Sequence, residues 1–419
     1  MAKIVSLTAR EILDSLGNPT LETTVRLDTG HAGVSAVPSG VVNSKYESLE
    51  LRDNDPNRFQ GLGVLKAVAN VNQVIAPKLI GFDPGRQTQL DQALIDLDGT
   101  PNKSKLGSNA LLSVSIAAIK AAASASNLPL YKYLSLKYGL NPDLKIMPAP
   151  TFNIINGGAH GAGNLDFQEF HLIPSLRFPY HQALQMGVEI YKLLKQTLKS
   201  RRLIHSVGDE GGFAPNLFTN LDALEVILES INLSPYKFSH DVFLGLDVSA
   251  DFFYHHNHYE IKDRAQPFSR DELIEYYRQL NQEYHLFSLE DPLYDDDWAG
   301  WTKLTAELSA NTLIVGDELL ATNQDRVKKA ISSKACNAIL VKPNQAGTVS
   351  ETVSVIKLCR ENNWKIIVSH RSGETNDTFI ADFAVGVGAD YTKFGAPARG
   401  ERIVKYNRLL AIEAEINHG

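Results

Sequence analysis

The sequence has few cysteines, no surplus of positive charge and no apolar leader. Cys336 and Cys359 are the two cysteines among 419 residues, and they form neither a CxxC motif nor a disulfide framework, which favours a reducing compartment. The formal net charge is -7, so no general basic field exists to attract nucleic acid or anionic lipid. The first residues, MAKIVSLTAREILDS, carry charges where a signal peptide needs an apolar core. We expect a soluble, cytoplasmic protein with no membrane span and no nucleic-acid partner.

Nucleotide-binding motifs are also missing. Neither GxGxxG after a strand nor GxxxxGK[ST] occurs in the chain, which gives no support to a dinucleotide-binding or P-loop function. Hydrophobic residues make up 43% of the sequence and charged residues 21%, as in ordinary globular proteins. The chain is therefore expected to fold compactly, and it is long enough for two domains.

A change in pattern divides the chain near residue 139. Before it, the alternating stretch LETTVRLDTGHAGVSAVPSG predicts two strands joined by a turn at Thr29-Gly30, and a helix is predicted from about Ala110 to Ser126. Ser108 or Asn109 is the expected N-cap of that helix. The segment GLNPDLKIMPAPTF is rich in proline and lacks periodicity. We predict an N-terminal domain at residues 1–138 and a C-terminal domain at residues 139–419.

In the C-terminal part, short apolar runs alternate with helix-like segments, and several of these runs end at a polar residue, the run ending at Lys393 being the weakest. The ends are separated by 43, 27, 25, 28 and 23 residues, close to one strand plus one helix for all but the first. This rhythm predicts a barrel, in which the carboxyl ends of the strands meet on one face. The residues predicted to meet there are Asp247, Glu290, Asp317, Lys342, His370 and Lys393.

Three carboxylates on that face need compensating charge, and a hard divalent cation such as Mg²⁺ supplies it. The competing interpretation is that each acid only caps a helix or begins a turn. For Asp295, Asp296 and Asp297 we expect a helix start or a solvated turn. Lys342 is the better candidate for a base that works near neutral pH, because desolvation disfavours its charged form. Alternatively, Lys342 and Lys393 are only ion-pair partners of the acids.

Three polar segments complete the candidate site. SHRSGE places His370, Arg371 and Ser372 at a strand end, where guanidinium and hydroxyl groups suit a phosphate or carboxylate. INGGAHGAGN carries His160 between apolar runs, and GDEGGFAPN carries Glu210 among glycines. Ordinary turns are the alternative interpretation of all three segments.

Taken together and in order, the motifs resemble those of enolase, the magnesium-dependent lyase that interconverts 2-phosphoglycerate and phosphoenolpyruvate. The resemblance covers nearly the whole chain and rests on EILDSLGNPT, YESLELRD, INGGAH, DFQEF, GDEGGFAPN, SLEDP, IVGDE, SHRSGET and KYNRLLAIE. It implies an N-terminal α+β capping domain before a (β/α)8-type, TIM-like barrel, and a homodimer. It also implies that the metal is held by Asp247, Glu290 and Asp317, that catalysis involves Glu210, Lys342, Glu169, Lys393 and His370, and that substrate contacts His160, Gln168, Arg371 and Ser372.

The clearest departure from the family lies in VPSGVVNSKYESLELRD, where Val42 replaces a serine that helps bind a second magnesium. We therefore expect one well-supported metal site and a weakened second one. Leu16 and Ala411 replace arginines of the dimer interface, which predicts a weaker or altered dimer. Two alternative functions remain: a paralogue acting on a related phospho- or phosphono-carboxylate, and a non-catalytic binding protein with the same fold.

Overall fold

Three antiparallel strands at the N-terminus form a sheet that packs on a long helix. The computed structural model describes residues 2–40, 44–161 and 163–418. The strands lie in the order β1, β2, β3, with bounds Ile4–Leu13, Pro19–Leu27 and Ala32–Ala36. The predicted hairpin is β2–β3, and Gly30 takes a positive φ of 86° in its turn. β1, which the alternating pattern did not predict, completes the sheet.

The helix beneath this sheet, α4, runs from Ser108 to Ala125, close to the predicted span. Its N-cap is Gly107, so the prediction of Ser108 or Asn109 was wrong. Asn109 instead accepts a hydrogen bond from the Leu51 backbone N–H at 3.1 Å. By length and composition α4 could cross a membrane, but 83% of it is buried, as in the core helix of a globular fold.

Fourteen α-helices are found in the described part of the chain, with a π-helical turn at Asn70–Ile75 between the first two. In chain order, α1 to α14 are Leu65–Ala69, Ala76–Leu79, Gln87–Asp98, Ser108–Ala125, Leu130–Tyr138, Tyr180–Ser200, Asn220–Asn232, Arg270–Tyr284, Trp298–Leu308, Gln324–Ser333, Pro343–Ala346, Val349–Glu361, Phe379–Gly386 and Gly400–His418. Short 3₁₀ turns lie at Phe59–Gly61, Gly158–His160 and Ala250–Phe253.

Eight strands close into a barrel in the second part of the chain, and two more form a small hairpin. In chain order, β4 to β13 are Ala149–Asn156, Glu169–Pro174, Val242–Asp247, Tyr254–His255, His258–Tyr259, Ser288–Glu290, Leu313–Gly316, Ala338–Val341, Lys365–Ser369 and Tyr391–Lys393. The barrel order is β10, β11, β12, β13, β4, β5, β6, β9, and the hairpin is β7–β8. β5 is antiparallel to both neighbours, whereas the other barrel pairs are parallel. The predicted barrel is confirmed, with an irregular first half.

The barrel interior is filled by side chains. Seven buried residues from six strands form one cluster: Ala149, Ile173, Val315, Ala338, Leu340, Ile367 and Tyr391. Their neighbours along β11, Ile339 and Val341, belong to the larger core that includes the surrounding helices. This alternation is typical of a barrel whose strands bury both faces. The interior is a packed core, which leaves the carboxyl ends of the strands for a polar site.

Candidate active site

The six predicted strand ends lie together at the carboxyl end of the barrel. Asp247 pairs with Glu290 across β6 and β9, and Ser369 pairs with Lys393 across β12 and β13. One polar cavity is lined by eleven of the twelve predicted site residues, together with Glu318 and Ser369. These eleven are His160, Gln168, Glu169, Glu210, Asp247, Asp317, Lys342, His370, Arg371, Ser372 and Lys393. The twelfth, Glu290, is bonded to Lys393.

Lys393 is the centre of a buried charge cluster. Its Nζ lies 2.8 Å from Asp247 Oδ2, 2.8 Å from Glu290 Oε1 and 3.1 Å from Glu169 Oε2. Burial alone would lower the pKa of Lys393, but these carboxylates outweigh it and raise the pKa well above its usual value. Lys393 is thus held as a cation that brings acids of three strands to one point.

Lys342 and Asp317 form a second ion pair on the rim. Burial lowers the pKa of Lys342, yet Asp317 and Glu318 prevail, so that the pKa is raised. Burial and Glu318 raise the pKa of Asp317 to about 7. The predicted base near neutral pH is therefore paired and charged in this arrangement. Proton acceptance by Lys342 requires that Asp317 be engaged by another cation.

Asp291 is a positioning residue that the sequence patterns did not single out. Its Oδ1 accepts from the Asp317 backbone N–H at 2.9 Å and its Oδ2 from the Glu318 N–H at 2.6 Å. Oxygens of Asp291, Asp317 and Glu318 lie within 4.8 Å of one another, so these acids form a compact cluster. Among the described residues this cluster includes only Asp317 of the three predicted ligands, because Asp247 and Glu290 are bonded to Lys393.

The donor set around Asp317 nevertheless fits a hard divalent cation. Carboxylate oxygens are the ligands that Mg²⁺ prefers, and the three predicted ligands are all buried. Burial and Asp247 raise the pKa of Glu290 well above its usual value, which indicates more negative charge than Lys393 alone compensates. Gln168 Oε1 is also buried in this cavity without a partner among the described residues. These groups could hold a metal ion.

A second cluster contains histidines and two glutamates. His160 Nδ1 lies 3.2 Å from Glu169 Oε1, and Ser372 Oγ donates to Glu210 Oε1 at 3.0 Å. Burial lowers the pKa of His160, but Glu210 and Glu169 reverse this and raise the pKa to about 9. Burial raises the pKa of Glu210, whereas His370 and His160 bring it well below its usual value. The two carboxylates therefore share protonated or polar neighbours on this side of the cavity.

Arg402 of α14 fixes the tautomer of His370. Its Nη1 donates to His370 Nδ1 at 2.7 Å, and its two terminal nitrogens also donate to the carbonyls of Arg371 and Ser372, each at 2.7 Å. A guanidinium only donates, so His370 Nδ1 must accept and the proton resides on Nε2. That Nε2 lies 3.1 Å from Glu210 Oε2. Burial first, and Arg402 in addition, lower the pKa of His370.

Arg371 is oriented by a residue from the N-terminal domain. Glu47 Oε2 accepts from Arg371 Nη1 at 2.9 Å, and both side chains are almost fully buried. Gln345 Nε2 donates to the other oxygen of Glu47 at 3.2 Å, and Asn344 Oδ1 accepts from Arg371 Nη1 at 3.1 Å. Glu47 therefore connects the predicted anion-binding guanidinium to the segment that follows Lys342.

The same N-terminal segment has further contacts with the barrel. Lys45 Nζ lies 2.9 Å from Asp296 Oδ2 and 3.4 Å from Asp295 Oδ1, and the Tyr46 hydroxyl donates to Asp296 at 2.8 Å. Asp297 caps α9, as expected for a helix start. Asp295, however, is 7% exposed, so the prediction of a solvated turn was wrong for this residue. We call residues Ser44–Glu50 the docking segment.

Val41, Val42 and Asn43, on which the second-metal prediction depends, lie outside the described residues.

Two family models match the chain along most of its length. The model described as "Enolase, N-terminal domain" matches residues 4–134, and "Enolase, C-terminal TIM barrel domain" matches residues 144–419. The chain is also 48% identical over 417 residues to the curated protein "Enolase" of Acidothermus cellulolyticus, which covers 100% of this chain and 95% of that protein.

The chain belongs to the enolase family.

As in other enolases, the activity is that of a hydro-lyase, phosphopyruvate hydratase. Enolases in general depend on magnesium, act on a phosphorylated carboxylate, form homodimers and are cytoplasmic. The two enolase positions expected at the dimer interface lie in different elements. Leu16 is half-buried after β1, and Ala411 is exposed on α14. Glu22 of β2 pairs with Arg10 of β1 at 2.7 Å.

Proposed function

We propose that the barrel rim catalyses the reversible dehydration of 2-phospho-D-glycerate to phosphoenolpyruvate. The observation that carries this proposal is the single cavity in which Lys342, Glu210 and the acidic cluster face one another. A lysine base and a carboxylic acid on one cavity are what proton removal and hydroxyl loss require. The alternative, a related phospho- or phosphono-carboxylate substrate, rests on the sequence of Val41 to Ser44, and nothing in the described residues favours it.

Asp247, Glu290 and Asp317 would hold Mg²⁺, with Asp291 keeping Asp317 in place through its backbone. A bound Mg²⁺ supplies positive charge that compensates these acids and the charge that develops on the substrate carboxylate. A second magnesium is expected to bind weakly at the Val42 segment, because valine offers no side-chain oxygen.

Two residues of this chain would move protons. Lys342 Nζ takes the proton from the substrate carbon that bears the phosphate, next to the carboxylate. Glu210, whose pKa lies well below its usual value beside His370 and His160, must first take up a proton, and it then gives that proton to the hydroxyl on the neighbouring carbon, which leaves as water. Glu210 accepts hydrogen bonds from Ser372 Oγ at 3.0 Å and from Asn153 Nδ2 at 3.2 Å, and these bonds set the orientation of its carboxylate.

The remaining groups bind and stabilise. Lys393 stays charged beside the acids and stabilises negative charge on the substrate, with Glu169 bonded to it. Arg371 and Ser372 would hold the phosphate, Arg371 in the orientation given by Glu47. His160 and Gln168 line the same cavity and would contact the substrate, while His370 keeps its proton on Nε2 toward Glu210.

The domain division at residues 1–138 and 139–419, a cytoplasmic location and a homodimer altered at Leu16 and Ala411 belong to the same proposal. Both substitutions remove a long cation, so we infer a dimer that dissociates more readily than a typical enolase dimer. Light scattering over a dilution series, compared with the double variant Leu16→Arg and Ala411→Arg, measures this difference.

The decisive experiment is steady-state conversion of 2-phospho-D-glycerate by the purified protein during a magnesium titration. Turnover that saturates with magnesium supports the proposal, and Val42→Ser should lower the magnesium concentration needed for half-maximal rate. No phosphoenolpyruvate from either form would overturn it. Magnesium-dependent turnover of a phosphono-carboxylate, with 2-phospho-D-glycerate inert, would favour the paralogue.

A further inference from the structure

The β7–β8 hairpin contains a concentration of histidines that the reaction does not use. Three of the twelve histidines of the chain lie in the four residues His255 to His258, which read HHNH. All three are exposed. The turn between the two strands consists of His256 and Asn257, whose φ angles are 51° and 65°. Two successive positive φ angles are typical of the tightest hairpin turn, which fixes the register of the flanking residues.

This register makes His255 and His258 direct cross-strand partners. Side chains that are directly opposite in an antiparallel pair have Cβ atoms about 4.5–5.5 Å apart, on the same face. The adjacent pair, Tyr254 and Tyr259, points to the other face, since side chains alternate along a strand. Two imidazoles therefore project into solvent from neighbouring positions.

The other face of the hairpin is anchored. The rings of Tyr254 and Tyr294 are stacked with centroids 4.6 Å apart, and Tyr259 is buried. The Tyr259 hydroxyl accepts from the Tyr294 backbone N–H at 3.2 Å. Aromatic packing therefore fixes the position of the hairpin that carries the histidine pair.

One of the two imidazoles is already oriented as a metal ligand would be. His258 Nδ1 lies 3.0 Å from the His256 carbonyl oxygen. A carbonyl can only accept, so Nδ1 carries the proton and Nε2 retains its lone pair. Histidines that bind metals usually donate their second ring N–H in this way, which fixes the ring and its tautomer.

We propose that His255 and His258 form a surface binding site for a divalent transition metal ion of the imidazole-binding class, such as Ni²⁺, Cu²⁺ or Zn²⁺. His258 binds through Nε2, His255 provides the second nitrogen, and water completes the coordination. Hard cations such as Mg²⁺ prefer oxygen ligands and do not compete for this pair. The site is separate from the acidic cavity of the barrel rim.

The test is calorimetric titration of the full-length protein with Ni²⁺ in a large excess of Mg²⁺, which saturates oxygen-ligand sites. We expect one Ni²⁺ per chain at this site. The double variant His255→Gln and His258→Gln should weaken its affinity by at least about tenfold, since both nitrogen ligands are lost. The matched control is His256→Asn, which keeps the backbone carbonyl and tolerates the positive φ, and it should bind as the unmodified protein does.

Electron paramagnetic resonance of the Cu²⁺-loaded protein provides a second readout. Nitrogen hyperfine splitting from two imidazoles is expected in the unmodified protein and should disappear in the double variant. Unchanged Ni²⁺ affinity in the double variant would overturn the proposal. An equal loss in His256→Asn would also overturn it, because the turn imidazole would then be the ligand.

Discussion

The barrel rim and the docking segment contribute to the same site in different ways. The rim residues lie at strand ends, so that regular spacing in the sequence brings them together. Glu47 of the docking segment reaches Arg371 across 324 positions of the chain, and no periodicity relates the two. In the proposed mechanism, the rim supplies the reacting and substrate-binding groups, and the docking segment orients one of the binding groups, Arg371. Position and orientation are therefore encoded in different parts of the sequence.

The largest effect is expected for a substitution on the barrel rim. Lys342→Ala should lower kcat by about 10²–10⁴-fold, because it removes the proposed general base. The fold should persist, since the lysine contributes an ion pair but no core packing. Steady-state kinetics with circular dichroism as a folding control measure both. A kcat within about tenfold of the unmodified protein would assign the base to another residue.

The next effect is expected in the docking segment. Glu47→Gln removes the carboxylate to which the buried Arg371 guanidinium donates, so the guanidinium is less firmly oriented and kcat/KM for 2-phospho-D-glycerate should fall by about 10–100-fold. The free energy of unfolding should also decrease, by up to about 3–5 kcal/mol. Urea unfolding and saturation kinetics measure the two effects.

The matched control is Glu50→Gln. Glu50 lies in the same segment and bonds Asn344 at 3.2 Å and Arg52 at 3.0 Å. Its KM should change much less. Equal losses in the two variants would mean that the segment acts only by holding the domains together.

A smaller effect is expected for a substitution of Arg402, and it tests how this residue acts on His370. Burial and Arg402 lower the pKa of His370, while Glu210 and Glu169 oppose them. Arg402→Met should raise that pKa, so the neutral ring is lost at a higher pH. We expect the acidic limb of the kcat profile to move upward by about one pH unit or less. A profile that only falls in height would indicate a purely structural role.

The same shift has a consequence for stability. A histidine whose pKa is lowered on folding binds more protons in the unfolded chain. This histidine therefore makes the free energy of unfolding rise with pH up to about 6.5, and stability is lost as the pH falls toward the folded pKa. The slope should be shallower in Arg402→Met. Urea unfolding measured between roughly pH 5 and pH 7 tests whether the free energy of unfolding rises with pH.

The smallest effect is expected for Lys45→Ala. Lys45 is 51% exposed and its pairs with Asp295 and Asp296 are screened by solvent, so the stability loss should be about 0–1 kcal/mol. The KM should be nearly unchanged, because Glu47 keeps its own contacts. A large rise in KM would show that Lys45, and not Glu47, positions the docking segment.

The sequence predicted the barrel and its rim because both depend on local patterns. The apolar runs predicted to end at Asp247 and Glu290 correspond to strands that end at those residues. The runs predicted to end at Asp317, Lys342 and His370 correspond to strands that end one residue earlier. The N-cap of α4 was predicted wrongly, because the Asn109 side chain accepts a hydrogen bond from the Leu51 backbone N–H and does not cap the helix. The roles of individual residues came from the resemblance to the family, not from spacing.

Residues that act through others were missed. Arg402 did leave a signal: it lies on the buried face of α14 with Lys405, Tyr406 and Leu409, and charged residues are rare at such positions. Asp291 follows Glu290 directly and looks like any turn acid. Glu47 lies in the motif YESLELRD, but the pattern did not show its role, because its partner Arg371 is defined only by the packing of one domain on the other.

The pair of Glu47 and Arg371 limits the modularity of this protein. A barrel expressed by itself would retain the acids and lysines of its rim but would lose the carboxylate that aims its guanidinium. Chimeras that join the N-terminal domain of one enolase to the barrel of another should therefore tolerate exchanged surfaces more readily than a changed partner at this one junction. In this molecule, a residue of the N-terminal domain orients a guanidinium that lines the barrel cavity.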